Sequence, residues 1–254
     1  MSVDESFAGG ASALHRLDPR VKWIAAVAFS VVVAASQSLP AAAAGLAFGA
    51  GLTLLTALPL RVVAVRLALV NVFLVALWIF LPFAGGGEVL ARVGPWDVRE
   101  GGLGLAALIT LKSNAILLVL VALPGTSTVF DNIHALHHLR LPSKLVHLLF
   151  FTFRYIHVIH EEYRRLRNAM KVRCFRARTD RHTYRSLAHL LGMLLVRSFE
   201  RSERVHAAML CRGFKGTLYT LHHFTLRPRD VGWGIVLGIC ILGIAGIAWL
   251  STGT

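Results

Sequence analysis

Apolar residues fall into blocks divided by proline, glycine and clustered basic residues. Lys22 to Leu39 is the first block. At 1.5 Å per residue it covers a hydrocarbon core of roughly 30 Å with help from its flanks. Pro40 closes it, and Ala41 to Leu58 forms a second block rich in alanine and in glycine at 45, 49 and 51. Small residues let helix backbones approach closely in lipid, so this block is expected to pack on a neighbour. Arg61 and Arg66 mark a short basic turn before the third block, Leu67 to Phe83. Gly85 to Gly102 is polar, glycine-rich and mixed in charge, which predicts a loop. The fourth block, Leu103 to Leu123, contains Lys112, Ser113 and Asn114. A lysine at mid-membrane costs about 3 kcal/mol, while each surrounding large aliphatic residue returns roughly 0.3 to 0.6 kcal/mol, so insertion is favourable by a small margin. Two roles are open for Lys112: meeting a partner subunit within the bilayer, or snorkelling to the outer interface. The last block, Val231 to Leu250, is entered through Arg227, Pro228 and Arg229.

From Pro124 to Asp230 the pattern changes. Three helical pieces are expected, divided by breakers. Ser127 to Arg140 is short and amphipathic, Pro142 opens a second helix, and a third runs from about Thr183 to Arg212, with Gly213 as a natural C-cap. Lys144 to His160 is apolar enough to resemble a membrane span. However, His147, Arg154, His157 and Glu161 recur close to whole helical turns and form a polar stripe, which predicts an amphipathic helix lying against the membrane domain. The expected fold class is an all-α integral membrane protein with about five transmembrane helices. Residues 1–123 form a membrane domain with the first four, residues 124–230 a cytoplasmic coupling domain of about three helices, and residues 231–254 the last span.

Composition agrees with this class. The chain has 254 residues, 56% of them hydrophobic, with a mean hydropathy of +0.63. Its formal charge of +14 raises the possibility of a nucleic-acid partner. Yet lysine and arginine gather beside or between the apolar blocks, as on the cytoplasmic side of a membrane protein, and acids are interleaved with them, so no nucleic-acid partner is expected. Arg16, Arg20 and Lys22 precede the first block, Arg61 and Arg66 the third, Arg227 and Arg229 the last. This places the N-terminus in the cytoplasm and the C-terminus on the periplasmic or external side of the inner (plasma) membrane. Cys174, Cys211 and Cys240 are scattered and suggest neither a disulfide framework nor a zinc site. No signal peptide is expected, because acids and glycines precede the first block.

One pattern is written twice. Glu161, Arg165, Ala169, Met170, Arg173, Phe175 and Arg176 recur as Glu200, Arg204, Ala208, Met209, Arg212, Phe214 and Lys215, always 39 residues on. The acid, the first arginine, the alanine and the second arginine stand four apart, forming one stripe on a helix. Two copies imply two similar things to touch, or one touched twice; a chance echo between two amphipathic helices is the alternative. An arginine near a helix C-terminus complements the dipole and offers a forked donor to a carboxylate, an interaction of roughly 1.5 to 3 kcal/mol. Methionine and alanine beside it offer a low apolar surface. This is a docking surface, with Glu161, Arg165, Glu200 and Arg204 as structural support.

Catalytic chemistry is sparse. No GxxxxGK phosphate loop, nucleophile elbow or HExxH occurs, so no ATP hydrolysis and no cofactor are expected in this chain. His134, His137 and His138, with His222 and His223, leave open a metal-binding protein or membrane-embedded enzyme using the histidine-rich region. No nearby acid or cysteine completes such a set, and no metal site is assigned.

The chain resembles the T component of energy-coupling factor transporters, and most closely the cobalt transport protein CbiQ branch. The resemblance covers nearly the whole chain. It rests on Leu17-Asp18-Pro19-Arg20 with Lys22, on Pro142-Ser143 followed by Arg154-Tyr155 and Glu161-Glu162, and on Arg201 to Phe214. It implies a non-catalytic membrane scaffold whose two long coupling helices each end in an Ala-Arg-Gly-type triplet. Each triplet docks on one of two ATP-binding cassette ATPase subunits, which bind ATP and magnesium, and the membrane part holds a substrate-binding membrane component. Carried over, the triplets are Val172-Arg173-Cys174 and Cys211-Arg212-Gly213, with the neighbouring Ala169, Met170, Ala208 and Met209. Neither is a strict Ala-Arg-Gly. The implied cargo is cobalt, or nickel in a sister branch.

Overall fold

A computed structural model describes residues 12, 14–84, 89–93, 96–139, 141–216 and 228–252. Among these are eight α-helices and one strand pair: α1 (Pro19–Ala35), α2 (Leu39–Leu55), α3 (Leu60–Ala84), β1 (Val89–Val93), β2 (Trp96–Arg99), α4 (Glu100–Ala122), α5 (Val129–His138), α6 (Ser143–Val172), α7 (Arg181–Cys211) and α8 (Pro228–Thr252). The chain divides into two compact units, Met1–Ala135 with Phe224–Thr254, and Leu136–His223.

In the first unit, the start of α1 accounts for the Leu17-Asp18-Pro19-Arg20 stretch. Asp18 is the N-cap, its carboxylate accepting from the Arg20 backbone N–H at 2.9 Å. Pro19 occupies the first helical position, where its missing N–H is not needed. Leu17 and Lys22 are buried. The Lys22 ammonium donates to Thr126 Oγ1 at 3.1 Å and Ser127 Oγ at 2.7 Å, pinning α1 to the 3-10 turn Pro124–Thr126 that follows α4. Trp23 adds an indole hydrogen bond to Asn132 Oδ1 of α5 at 3.0 Å. At the start of α5, Thr128 Oγ1 accepts from the Asp131 backbone N–H at 3.1 Å and donates to the Asp131 carboxylate at 2.7 Å.

The core joins Phe29 and Val33 of α1, Leu52 of α2, Ala115 and Val119 of α4, and Leu237 and Ile241 of α8. The expected close packing of the second block is present. A Cβ at Gly49 would stand 3.1 Å from the Ala115 carbonyl oxygen and 3.1 Å from Leu118 Cβ, so α2 lies directly on α4.

Three helices are long and apolar enough to cross a membrane: Leu60–Phe83, Glu100–Thr126 and Pro228–Ser251. This makes the chain a multi-pass membrane protein. The other two expected spans are shorter, at 17 residues each, or about 25 Å. The first block stops at Ala35, and Pro40 opens α2 instead of closing α1, because proline is tolerated in a first turn. The third helix begins at Leu60, before the expected Leu67: Arg61 and Arg66 lower hydropathy but are good helix formers. The expected loop 85–102 is corrected in part. β1 and β2 pair antiparallel, with Arg92 opposite Asp97 and Val93 opposite Trp96, and α4 already starts at Glu100.

Lys112 finds a partner inside the chain. Its ammonium donates to the Ala34 carbonyl at 3.0 Å, satisfying one of the carbonyls left open at the α1 C-terminus, where a cation is also favoured by the helix dipole. Asn114 and Asn71 exchange hydrogen bonds at 3.1 Å between α4 and α3.

Candidate functional site: two matching helix ends

The second unit is built on α6 and α7. Residues 144–160, ambiguous in the sequence, are the first part of the continuous helix α6, which also carries the first copy of the repeated pattern. It is not among the three helices apolar enough to span. The two helices touch where Arg197 of α7 forms an ion pair with Glu162 of α6. On one side of this point, the C-terminal part of α6 and the N-terminal part of α7 border a cleft of about 780 Å3. On the other side, the N-terminal half of α6 and the C-terminal part of α7 border one of about 530 Å3. Ala169, Met170, Arg173, Phe175 and Arg176 of the first copy line the larger cleft, whereas only Met209 and Phe214 of the second copy line the smaller one.

Both copies end their helix in the same way. In α6, Arg173 is the C-cap, the Phe175 N–H donates to the Met170 carbonyl at 3.1 Å, and the Cys174 N–H donates to Lys171 at 3.0 Å. In α7, Arg212 is the C-cap, the Phe214 N–H donates to Met209 at 3.1 Å, and the Gly213 N–H donates to Leu210 at 2.9 Å. These are two Schellman motifs in identical register. The residue after each C-cap must be left-handed, and φ is +60° at Cys174 and +80° at Gly213. Glycine adopts this freely, whereas an L side chain is disfavoured there.

Side-chain exposure repeats too. Met170 and Phe175 are half-buried, as are Met209 and Phe214, in the positions where a Schellman motif brings an apolar pair together. Ala169, Val172, Arg173, Cys174 and Arg176 are exposed, and so are Ala208, Cys211, Arg212, Gly213 and Lys215. The methionine and phenylalanine are therefore accounted for by ending a helix. The arginine is not: its backbone closes the helix, while its guanidinium stands in solvent.

The expected supporting residues lie one turn apart on exposed faces. Glu200 and Arg204 approach to 3.9 Å, a contact of a few tenths of a kcal/mol, and Glu161 and Arg165 occupy the matching positions of α6. The acid that joins the two helices is the neighbouring Glu162. Sequence spacing missed it, since an ion pair between helices leaves no periodic signal within either one.

The ends stand far apart. Residues 173–180 connect the α6 tip to the start of α7, and both Arg173 and His182 line the larger cleft. α7 then runs 31 residues to the second tip, about 45 Å along its axis.

The histidine cluster does not converge. His134 is buried in α5, His137 and His138 are exposed, and the last two rings stand edge-on at 5.8 Å. Among the described residues no three histidine, cysteine or acidic side chains are placed to hold a metal. His222 and His223 lie outside the described residues.

Known proteins resemble this chain over most of its length. The family described as CbiQ, cobalt transport protein, matches residues 10–222. The energy-coupling factor transporter transmembrane protein EcfT of Bacillus selenitireducens is 28% identical over 94% of this chain and 92% of its own length. Its namesake from Bacillus subtilis is 26% identical over 82% of each chain. The cobalt transport protein CbiQ of Rhodobacter capsulatus is 25% identical over 62% of this chain and 63% of its own. With its helical membrane unit, its paired helix ends and a family match over most of its length, this chain belongs to the CbiQ cobalt transport protein family.

Proposed function

We propose that this chain is the transmembrane coupling component of an energy-coupling factor importer for cobalt or nickel. It links two ATP-binding cassette ATPase subunits to a substrate-binding membrane component and catalyses nothing itself. One observation carries the reading: two helix ends with the same backbone closure each present an arginine to solvent, about 45 Å apart by helix length. A standard-size interface covers about 800 Å2 per partner, a patch roughly 30 Å across. Two such patches centred on Arg173 and Arg212 do not overlap, so each end accommodates its own subunit.

The surface of the second unit supports this. Leu148, Leu195 and Phe199 are 62%, 72% and 65% exposed although neither helix belongs to the apolar spans, and exposed apolar surface of this extent marks interaction sites. In the transport cycle, ATP-driven closure of the ATPases changes the separation or tilt of α6 and α7, and the membrane helices follow. Cargo recognition belongs to the substrate-binding component. Both tips face the cytoplasm.

Co-purification from native membranes tests the reading. The solubilised chain is expected to carry two ATPase chains, and recovery without any ATPase would overturn it. Thiol labelling adds an independent check, because Cys174 and Cys211 are both exposed: both should be protected from an impermeant reagent applied outside, and labelling of one alone would place the tips on opposite faces.

A further inference from the structure

We propose that Lys22 and Trp23 are positioning residues of the coupling step, joining α1 to the corner between α4 and α5 so that movement of the second unit reaches the membrane helices. This rests on the coupling role proposed above. The chain passes between the two units twice, at Ala135–Leu136 and at His223–Phe224. The first passage lies inside α5, a continuous helix, and only residues 139–142 separate α5 from α6. A displacement of α6 along the chain therefore arrives at α5, and what it moves depends on what holds the start of that helix. The joint that holds it is made of first-unit residues alone. Asn132 is its hub: Oδ1 accepts from the Trp23 indole at 3.0 Å, and Nδ2 donates to the Pro124 carbonyl at 3.0 Å and the Ser127 carbonyl at 3.4 Å. Lys22, fully buried, grips the same corner through Thr126 and Ser127 and reaches the His15 carbonyl at 3.5 Å.

The chemistry of this joint is a poor choice for stability alone. Burying an ammonium is costly, and a hydrophobic residue of similar volume often serves a buried site equally well or better. What directed bonds add is a fixed geometry. Here they tie one turn of α1 to the corner at two places, one just before α5 and one within it, so α1 and α5 cannot tilt independently without breaking a bond. The corner itself does not depend on α1. Thr126 Oγ1 donates to the Leu123 carbonyl at 2.8 Å, and Asn132 keeps its two carbonyl partners. Cutting the bonds from Lys22 and Trp23 thus disconnects α1 while the corner retains its own hydrogen bonds. Because Phe29 and Val33 of α1 pack in one core with α2, α4 and α8, a displacement of α1 is passed on to those helices.

The test uses the whole complex, this chain with its ATPases and substrate-binding component, reconstituted in proteoliposomes. ATP hydrolysed and cobalt(II) or nickel(II) imported, whichever the wild-type complex carries, are measured in the same sample. With Lys22→Met/Trp23→Phe the complex should assemble and hydrolyse ATP as before, while metal imported per ATP falls roughly tenfold from the loss of the Lys22 and Trp23 hydrogen bonds. Trp23→Phe alone keeps the ring and should show a smaller fall of the same kind; it decides the matter if the double variant does not accumulate. Trp78→Phe removes an indole bond of similar length, 2.9 Å to Thr110 between α3 and α4, and should leave the ratio unchanged. An unchanged ratio in the Lys22 and Trp23 variants, an equal fall in Trp78→Phe, or hydrolysis and uptake falling in proportion, as from less folded chain, would each overturn the proposal and leave the coupling role standing. Wild-type chain that assembles with no ATPase would instead overturn the coupling role itself, and the joint with it.

Discussion

The ends of α6 and α7 share a backbone and differ in everything around it. Both close with the same two hydrogen bonds from the second residue and the first residue beyond the cap. The α6 end uses cysteine in the left-handed position and borders a cleft lined by four arginines, while the α7 end uses glycine and, through Met209 and Phe214, borders a cleft with one arginine among its lining residues. What is duplicated is therefore a way of stopping a helix with an arginine at its cap. The surroundings are free to suit two partners that are not alike, or two different contacts with the same partner.

The strongest way to break the comparison is to reverse both charges. Arg173→Glu/Arg212→Glu should abolish metal uptake in cells while the purified chain keeps its helicity and membrane insertion; normal uptake would refute the docking role. Single truncations then rank the two ends. Arg173→Ala or Arg212→Ala should weaken ATPase binding by about 2 to 5 kcal/mol, or at least roughly 30-fold, if the partner's acid is left buried and unpaired. Equal losses would mean the clefts do not matter, and unequal losses would identify the dominant tip.

A smaller effect separates the two left-handed positions. Gly213→Val places a β-branched side chain at φ +80° and should cost the α7 end about 1 to 2 kcal/mol. Cys174→Gly should relieve the corresponding strain in α6, with a net gain below about 1 kcal/mol after the entropy of glycine. Amide exchange at Phe214 and Phe175 reads both, and a loss at position 174 comparable to that at 213 would show that the left-handed turn is not what limits either end. The least effect is expected at the crossing. Glu162→Gln should lower stability by about 0.2 to 1 kcal/mol, because Arg197 is about half exposed and its charge well solvated. A double-mutant cycle with Arg197→Gln measures the coupling, and a value well above this range would make the ion pair a rigid pivot.

Most helix starts could be read directly. Pro142 is the N-cap of α6, and the α7 helix begins within two residues of the expected Thr183. Gly213 announced the second helix stop, but the first was hidden, because a cysteine gives no sign that it will take a positive φ. The repeated pattern showed that two surfaces match. It did not show that methionine and phenylalanine serve the backbone closure while arginine stands apart from it. Bonds to main-chain carbonyls were equally invisible: nothing in the sequence of α1 marks Ala34 as the acceptor for Lys112, since every residue offers a carbonyl. The strand pair escaped because Val89–Val93 and Trp96–Arg99 are too short and too mixed in charge to stand out from a glycine-rich loop.

The bond from Lys112 to Ala34 has a consequence for the outline of the membrane unit. It fixes the α1 end beside a residue twelve positions into α4, about 18 Å from where that helix begins. The turn at residues 36–38 thus forms a shoulder partway up the bundle, above which α4 rises without α1 beside it. Lipid meeting this flank encounters a step in height, which a bilayer accommodates by thinning or by admitting a neighbour into the notch.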